Sequence, residues 1–198
     1  MFCLYIISCV NPIDYSMSSP SLCIYDTDKD FTFENCDIYY ANAKKKYVIN
    51  IKNIHGFVLP ETHPTEPMYR YNEICKIFAN ILLEKNVEKV CIEGYALGSH
   101  AGLIFNIAEN TALLKHFMWK SKIDYINPSP STIKKFFTGK GNADKIKVVD
   151  TFINETNINL QDIFGTKTKE AAPINDICDS FAMCKYMNAV LKGEIENG

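Results

Sequence analysis

Apolar and polar positions change period twice along this chain. Residues 20–26, 37–42 and 47–52 are rich in Ile, Val and Tyr, which predicts strands. The polar run Asn42-Ala43-Lys44-Lys45-Lys46 reads as a soluble turn between the last two. Short turns between successive strands predict an antiparallel meander. The apolar start, residues 1–10, is too short to span a bilayer and lacks a basic flank, so it also reads as a strand. From residue 67 the period becomes helical: Tyr71, Ile74, Cys75, Phe78, Ile81 and Leu82 share one face of a helix over 67–85.

Alternation follows. Val90, Cys91 and Ile92 form a short buried-strand run that stops at Glu93, before Gly94. A helix is predicted over 100–117, apolar at Leu103, Ile104, Ile107, Ala108 and Leu114. A strand over 124–127 is closed by Pro128 and Pro130. Ser129 or Ser131 can cap a short helix through Phe137. Further helices are expected near 142–154 and over 173–192. No repeat or low-complexity linker interrupts this order. A meander followed by alternating helix and strand predicts one α/β domain over 1–198, a mixed five-stranded sheet with three antiparallel strands first and helices on both faces.

Composition changes little in that picture. The chain has 198 residues, 47% hydrophobic and 22% charged, and a formal net charge of −2. Any nucleic-acid contact must therefore come from a local basic patch. Eight cysteines are spread through apolar contexts with no CxxC pair or zinc-finger spacing. They read as buried reduced thiols, which favours an intracellular, cytoplasmic setting. His55, His63, His100 and His116 show no ligand spacing, and Trp119 reads as packing at a helix end.

Four acids stand out by context: Asp14 after the first apolar run, Glu93 at a strand end, and Asp176 and Asp179 at i and i+3 on the last helix. The last two lie roughly 60° apart around the axis, on a face opposite Ile174, Ile177 and Phe181. Converging carboxylates repel unless cations lie between them, and Mg²⁺ suits hard oxygen donors. Each acid also has an ordinary reading: a turn former, a solvated strand end, or a complement to a helix dipole. Spacing alone leaves both open.

The segments Ile13-Asp14-Tyr15-Ser16-Met17-Ser18-Ser19-Pro20, Ile92-Glu93-Gly94-Tyr95-Ala96, Phe137 to Lys145 (FTGKGNADK), and Asn175-Asp176-Ile177-Cys178-Asp179-Ser180-Phe181-Ala182 together resemble the RuvC-like Holliday junction resolvases of the RNase H-like superfamily, nearest to its phage and viral branch. They occur in the family's order and span residues 13–187. The resemblance implies an RNase H-like fold and a two-metal Mg²⁺ site, with Mn²⁺ able to substitute. Asp14, Glu93, Asp176 and Asp179 would be its ligands, with Asp14 bridging both ions. It further implies a homodimer that nicks four-way junctions in pairs and leaves 5′-phosphates, acting in the host cytoplasm if the gene is viral.

Gly139 and Gly141, amid Lys134, Lys135, Lys140, Lys145 and Lys147, suit a phosphate-contacting loop. The resemblance points to Lys145 first, as a catalytic-site lysine, and then to Lys140. The alternative is a solvated basic turn. Tyr95 either stacks on an unpaired base or fills the core. The helix at 100–117 occupies the segment that dimerises in resolvases, although its stripe can equally face the sheet. Pro12 departs from a central strand, because it removes a ladder hydrogen bond; the strand bulges there, or Asp14 lies just past it. A flap or branched-DNA nuclease, an RNase H-type nuclease and a non-catalytic branched-DNA binder are the competing functions. A 3′–5′ exonuclease fits less well, since Asp14 is followed by Tyr15-Ser16 rather than by x-Glu.

Overall fold

The computed structural model describes residues 9–14, 19–59, 66–95 and 101–196. Its strands are β1 (Cys9–Asp14), β2 (Ser21–Asp26), β3 (Cys36–Asn42), β4 (Asn50–Ile51), β5 (Ile54–Val58), β6 (Lys89–Ile92) and β7 (Asp124–Ile126). They form a seven-stranded sheet in the order β4-β5-β3-β2-β1-β6-β7. β1, β2 and β3 make an antiparallel meander that shares only its 20–26 and 37–42 strands with the expected one, and β6 and β7 join β1 in parallel.

Two strands exceed the expected five. The strand predicted over 47–52 is instead a short 3-10 turn at Lys45–Tyr47 followed by the two-residue β4, and the chain then turns back into β5. β5 runs parallel to β3, which a tight hairpin cannot produce. Tyr40 fixes this detour. Its hydroxyl accepts from the Ile49 N–H at 2.8 Å and donates to the Tyr47 carbonyl at 2.8 Å. Gly56 lets β5 approach, since a Cβ there would stand 2.6 Å from the Tyr40 hydroxyl and 2.8 Å from the Ile49 carbonyl. Lys44, Lys45 and Lys46 cap the detour in solvent rather than a hairpin.

Side-chain alternation assigns the two faces of the sheet. Leu22, Ile24, Tyr39, Ala41, Val90 and Ile92 point to one core. There α1 (Pro67–Glu84) contributes Ile74, Phe78, Ile81 and Leu82, and α2 (Ala101–Lys120) contributes Leu114 and Met118. Cys23, Tyr25, Cys36, Ile38, Tyr40 and Cys91 point to the other core. That face is covered by α3 (Pro130–Thr138), α4 (Lys145–Thr156), α5 (Leu160–Phe164) and α6 (Ile174–Leu191). Helices on both faces match the expectation. Trp119 departs from it, being 73% exposed on α2 rather than packed.

α6 departs as well. It is wedged between β1 and β2 on one side and α3 and α4 on the other, and fourteen of its residues are buried. Apolar residues on several of its sides suit it to a core, although it also carries Asp176 and Asp179. Phe181 anchors it, with ring centroids 5.2 Å from Phe152, 5.3 Å from Phe31, 5.9 Å from Phe33 and 6.3 Å from Phe137. Truncating such a residue costs about 3–5 kcal/mol. Among the described residues, no helix is long and apolar enough to cross a membrane.

Candidate active site

Asp14 is the last residue of β1, so Pro12 does not displace it from the strand. On either side of Pro12 the β1–β2 partners keep one register, Val10 with Tyr25 and Ile13 with Leu22, so there is no bulge. On the β6 side Pro12 pairs with Cys91. The backbone of Asp14 is partnered with Ser21, whose hydroxyl donates to the Asp176 carbonyl at 2.5 Å. One hydroxyl thus links the end of the β1–β2 pair to the first turn of α6. The Asp14 side chain, and residues 15–18 and 96–100 of the motif segments, lie outside the described residues.

Glu93 follows β6, which is parallel to β1, so both acids leave the same edge of the sheet. Two bonds clamp the chain around it. The Asn127 side chain donates to the Ile92 carbonyl at 2.7 Å, and the Gly94 N–H donates to the Pro128 carbonyl at 2.8 Å. Gly94 suits this close approach, since a Cβ would meet the Pro128 carbonyl at a tight 3.0 Å. Pro128 leads into Ser129, which caps α3 by accepting from the Thr132 N–H at 3.1 Å. Of the two candidate caps, the structure uses Ser129.

Asp176 is buried on α6, and the Asn175 amide donates to its carboxylate at 3.1 Å. Asp179 is half-buried one turn on. The acid pair, expected on the face away from Ile174, Ile177 and Phe181, is thus at least half-buried, because α6 is packed between the sheet and α3 and α4. Glu93 and Asp179 sense each other. Burial pushes the Glu93 carboxyl up to about 7, with the Asp179 charge adding to the rise and Lys134 opposing it. Burial pushes Asp179 up to about 6, against the pull of Lys134 and Lys145.

The two lysines arrive on helix starts and turns. Lys134 lies on α3, and Lys145 opens α4 behind Asp144, whose carboxylate accepts from the Lys147 N–H at 2.8 Å. Gly139, at φ +81°, ends α3 in the left-handed conformation and turns the chain toward α4. Lys135, Lys140 and Lys147 are exposed on the same segment, and none of them acts on the charge of either carboxylate. The structure thus separates Lys134 and Lys145, beside the acids, from three flanking lysines. Tyr95 is 41% exposed and not core. Lys115 lies 5.3 Å above both its ring and that of Tyr125, and donates to Asn127 at 3.1 Å. Sequence reading missed Ser21, Lys115 and Asn127. Asn127, before a proline, carries the signal of a turn former, which hides its use as a side-chain donor.

Acids at the ends of two adjacent parallel strands, and further acids on a helix packed across the sheet, make up the candidate site of an α/β fold. Solved structures bear out the resemblance seen in the sequence. Thermus thermophilus RuvC in complex with Holliday junction substrate superimposes with a TM-score of 0.62 at 15% identity, over 93% of this chain and 96% of that one. The yeast mitochondrial Holliday junction resolvase Ydc2 gives 0.52 at 16% identity, over 98% and 87%. Fowlpox virus resolvase with Holliday junction DNA gives 0.51 at 19% identity, over 92% and 99%. The chain has the fold of the RuvC-like resolvases. No protein-family model matches the sequence. No curated protein matches it either.

Proposed function

We propose that this chain is a divalent-metal-dependent DNA endonuclease that cuts four-way junctions by paired nicks and leaves 5′-phosphates. The observation that carries this reading is the placement of Asp14 and Glu93 at the ends of the adjacent parallel strands β1 and β6, with Asp176 and Asp179 on the helix packed across β1 and β2, on a fold shared with junction resolvases. We read residues 1–198 as one nuclease domain.

The donor set fits Mg²⁺ or Mn²⁺. Every candidate ligand is a carboxylate, and burial holds two of them above their ordinary range, with the Asp179 charge adding to the rise at Glu93. Asp14, Glu93, Asp176 and Asp179 are the residues that would hold the ions. Bound there, a pair of such cations supplies an activated water and stabilises the leaving oxygen of a phosphodiester.

The rest belongs to the chain. Lys134 and Lys145 hold the scissile phosphate and limit the repulsion between the acids. Lys135, Lys140 and Lys147 contact phosphates farther along the strand, and Tyr95 stacks on a base unpaired at the junction. Two equivalent cuts require two sites related by a two-fold axis, hence a homodimer. The test is a cleavage panel of labelled four-way junction, flap and RNA–DNA hybrid with Mg²⁺, run beside a sizing measurement. Paired nicks on the junction by a dimer are expected. Preference for flap or hybrid would replace the substrate assignment, and junction binding with no cutting would make the chain a non-catalytic binder.

A further inference from the structure

We propose that Cys23, Cys36 and Cys184 form a three-sulfur site for a thiophilic d10 cation, Cu⁺ by preference, between the sheet and α6. Their three sulfurs all lie within 4.8 Å of one another. The fold brings them together from three elements. In the β2–β3 register Cys23 is paired with Ile38 and Tyr25 with Cys36, so the two cysteines are diagonal neighbours on one face. α6 lies across that face and adds Cys184.

Free cysteine commonly fills a core as a small hydrophobe. Dispersed packing of that kind describes Cys91 and Cys178, which are as buried on the same side of the sheet yet stand outside the group. The other three bring their sulfurs within 4.8 Å of one another. The neighbouring thiols of Cys184 and then Cys23 favour the ionised form of Cys36.

The donor set selects the ligand. It holds no imidazole or carboxylate, which excludes Mg²⁺ and Ca²⁺ and favours soft cations. All three cysteines are fully buried, so solvent offers no fourth ligand. Zn²⁺ in structural sites takes four ligands, whereas Cu⁺ is satisfied by three sulfurs. Sulfur ligates a metal as thiolate, so binding releases to solvent the protons that the three thiols still hold. The occupied site would tie α6 to β2 and β3 independently of any nuclease activity.

The test uses the full chain, reduced and refolded under argon with one equivalent of Cu⁺, then challenged with a bathocuproine chelator. One retained copper is expected, with a near-ultraviolet sulfur-to-copper band, three sulfur neighbours by X-ray absorption, and a raised thermal midpoint. Cys36→Ser and Cys184→Ala should retain copper roughly tenfold or more weakly. Cys75→Ser, outside the group, should bind as wild type. No retention by folded wild type, unchanged retention by Cys36→Ser, or displacement by equimolar Zn²⁺ would overturn the proposal. If the variants fail to fold, the absorption spectrum of wild type decides alone, and a sulfur count other than three refutes the site.

Discussion

The side-chain amide of Asn127 holds the carbonyl of Ile92 at 2.7 Å, immediately before Glu93. Asn127 also accepts from Lys115, so one side chain joins α2, β6 and the β7 exit. Asn127→Ala should cost about 1–2 kcal/mol of stability. Because it frees the backbone that aims Glu93, junction cleavage should fall further than junction affinity. Thermal melts, binding isotherms and single-turnover rates check this, and an equal loss of binding and rate would count against a positioning role.

Glu93 and Asp179 are held at a cost to the metal-free fold. Glu93→Gln and Asp179→Asn should therefore raise the thermal midpoint in EDTA at pH 8, while cutting junction cleavage by roughly 10²-fold or more. Asp14→Asn should abolish cleavage with junction binding intact. Retained cutting by any of the three variants would remove that acid from the site.

The same shifts set a pH dependence. The folded Glu93 carboxyl sits at about 7 against an ordinary 4.5, and Asp179 at about 6 against 3.8. Between those limits the native state holds protons that the unfolded state has released, so stability of the metal-free protein falls as pH rises from about 4 to about 7. Added Mg²⁺ should restore more stability at pH 8 than at pH 5. Melts in EDTA and in Mg²⁺ across that range provide the check; a flat metal-free profile would contradict it.

Lys134 opposes the rise at both acids and Lys145 at Asp179 alone. Lys134→Ala should move the cleavage pH profile upward, and Lys145→Ala should move it less. Lys140→Ala should leave the profile in place and lower the salt slope of junction binding by about 1. Paired pH–rate and salt titrations distinguish the two kinds of lysine.

On α2, Phe105 is 66% and Trp119 73% exposed, and their spacing puts them roughly 40° apart around the helix. If this stripe closes the homodimer, Phe105→Glu or Trp119→Glu should give a monomer that nicks junctions on one strand at a time. Sizing combined with a supercoiled cruciform assay reads both outcomes. A monomeric wild type would remove the paired-nick mechanism.

How much of this was legible depended on whether a residue's environment is local. α1 was visible because one face alone is buried, and Glu93 because an apolar run stops there before Gly94. The detour into β5 was not, since it rests on the Tyr40 hydroxyl and on the space at Gly56, both non-local. Residues 47–52 have strand composition but lose their partner to residues that follow. The acids of α6 were legible as a spaced pair, yet their inward placement was not, because it follows from helices covering both sides of α6. The sulfur group was hidden for the same reason: its members are remote in sequence and each sits in an ordinary apolar context.

The burial of α6 carries a last consequence. The helix that brings Asp176 and Asp179 to the sheet edge is also the central wedge of one core, so the acids meet Glu93 only once that core has closed. A nascent or partly folded chain holds the same carboxylates scattered. On the proposed reading, competence to hydrolyse DNA arises at the final docking step, not with the synthesis of the acids themselves.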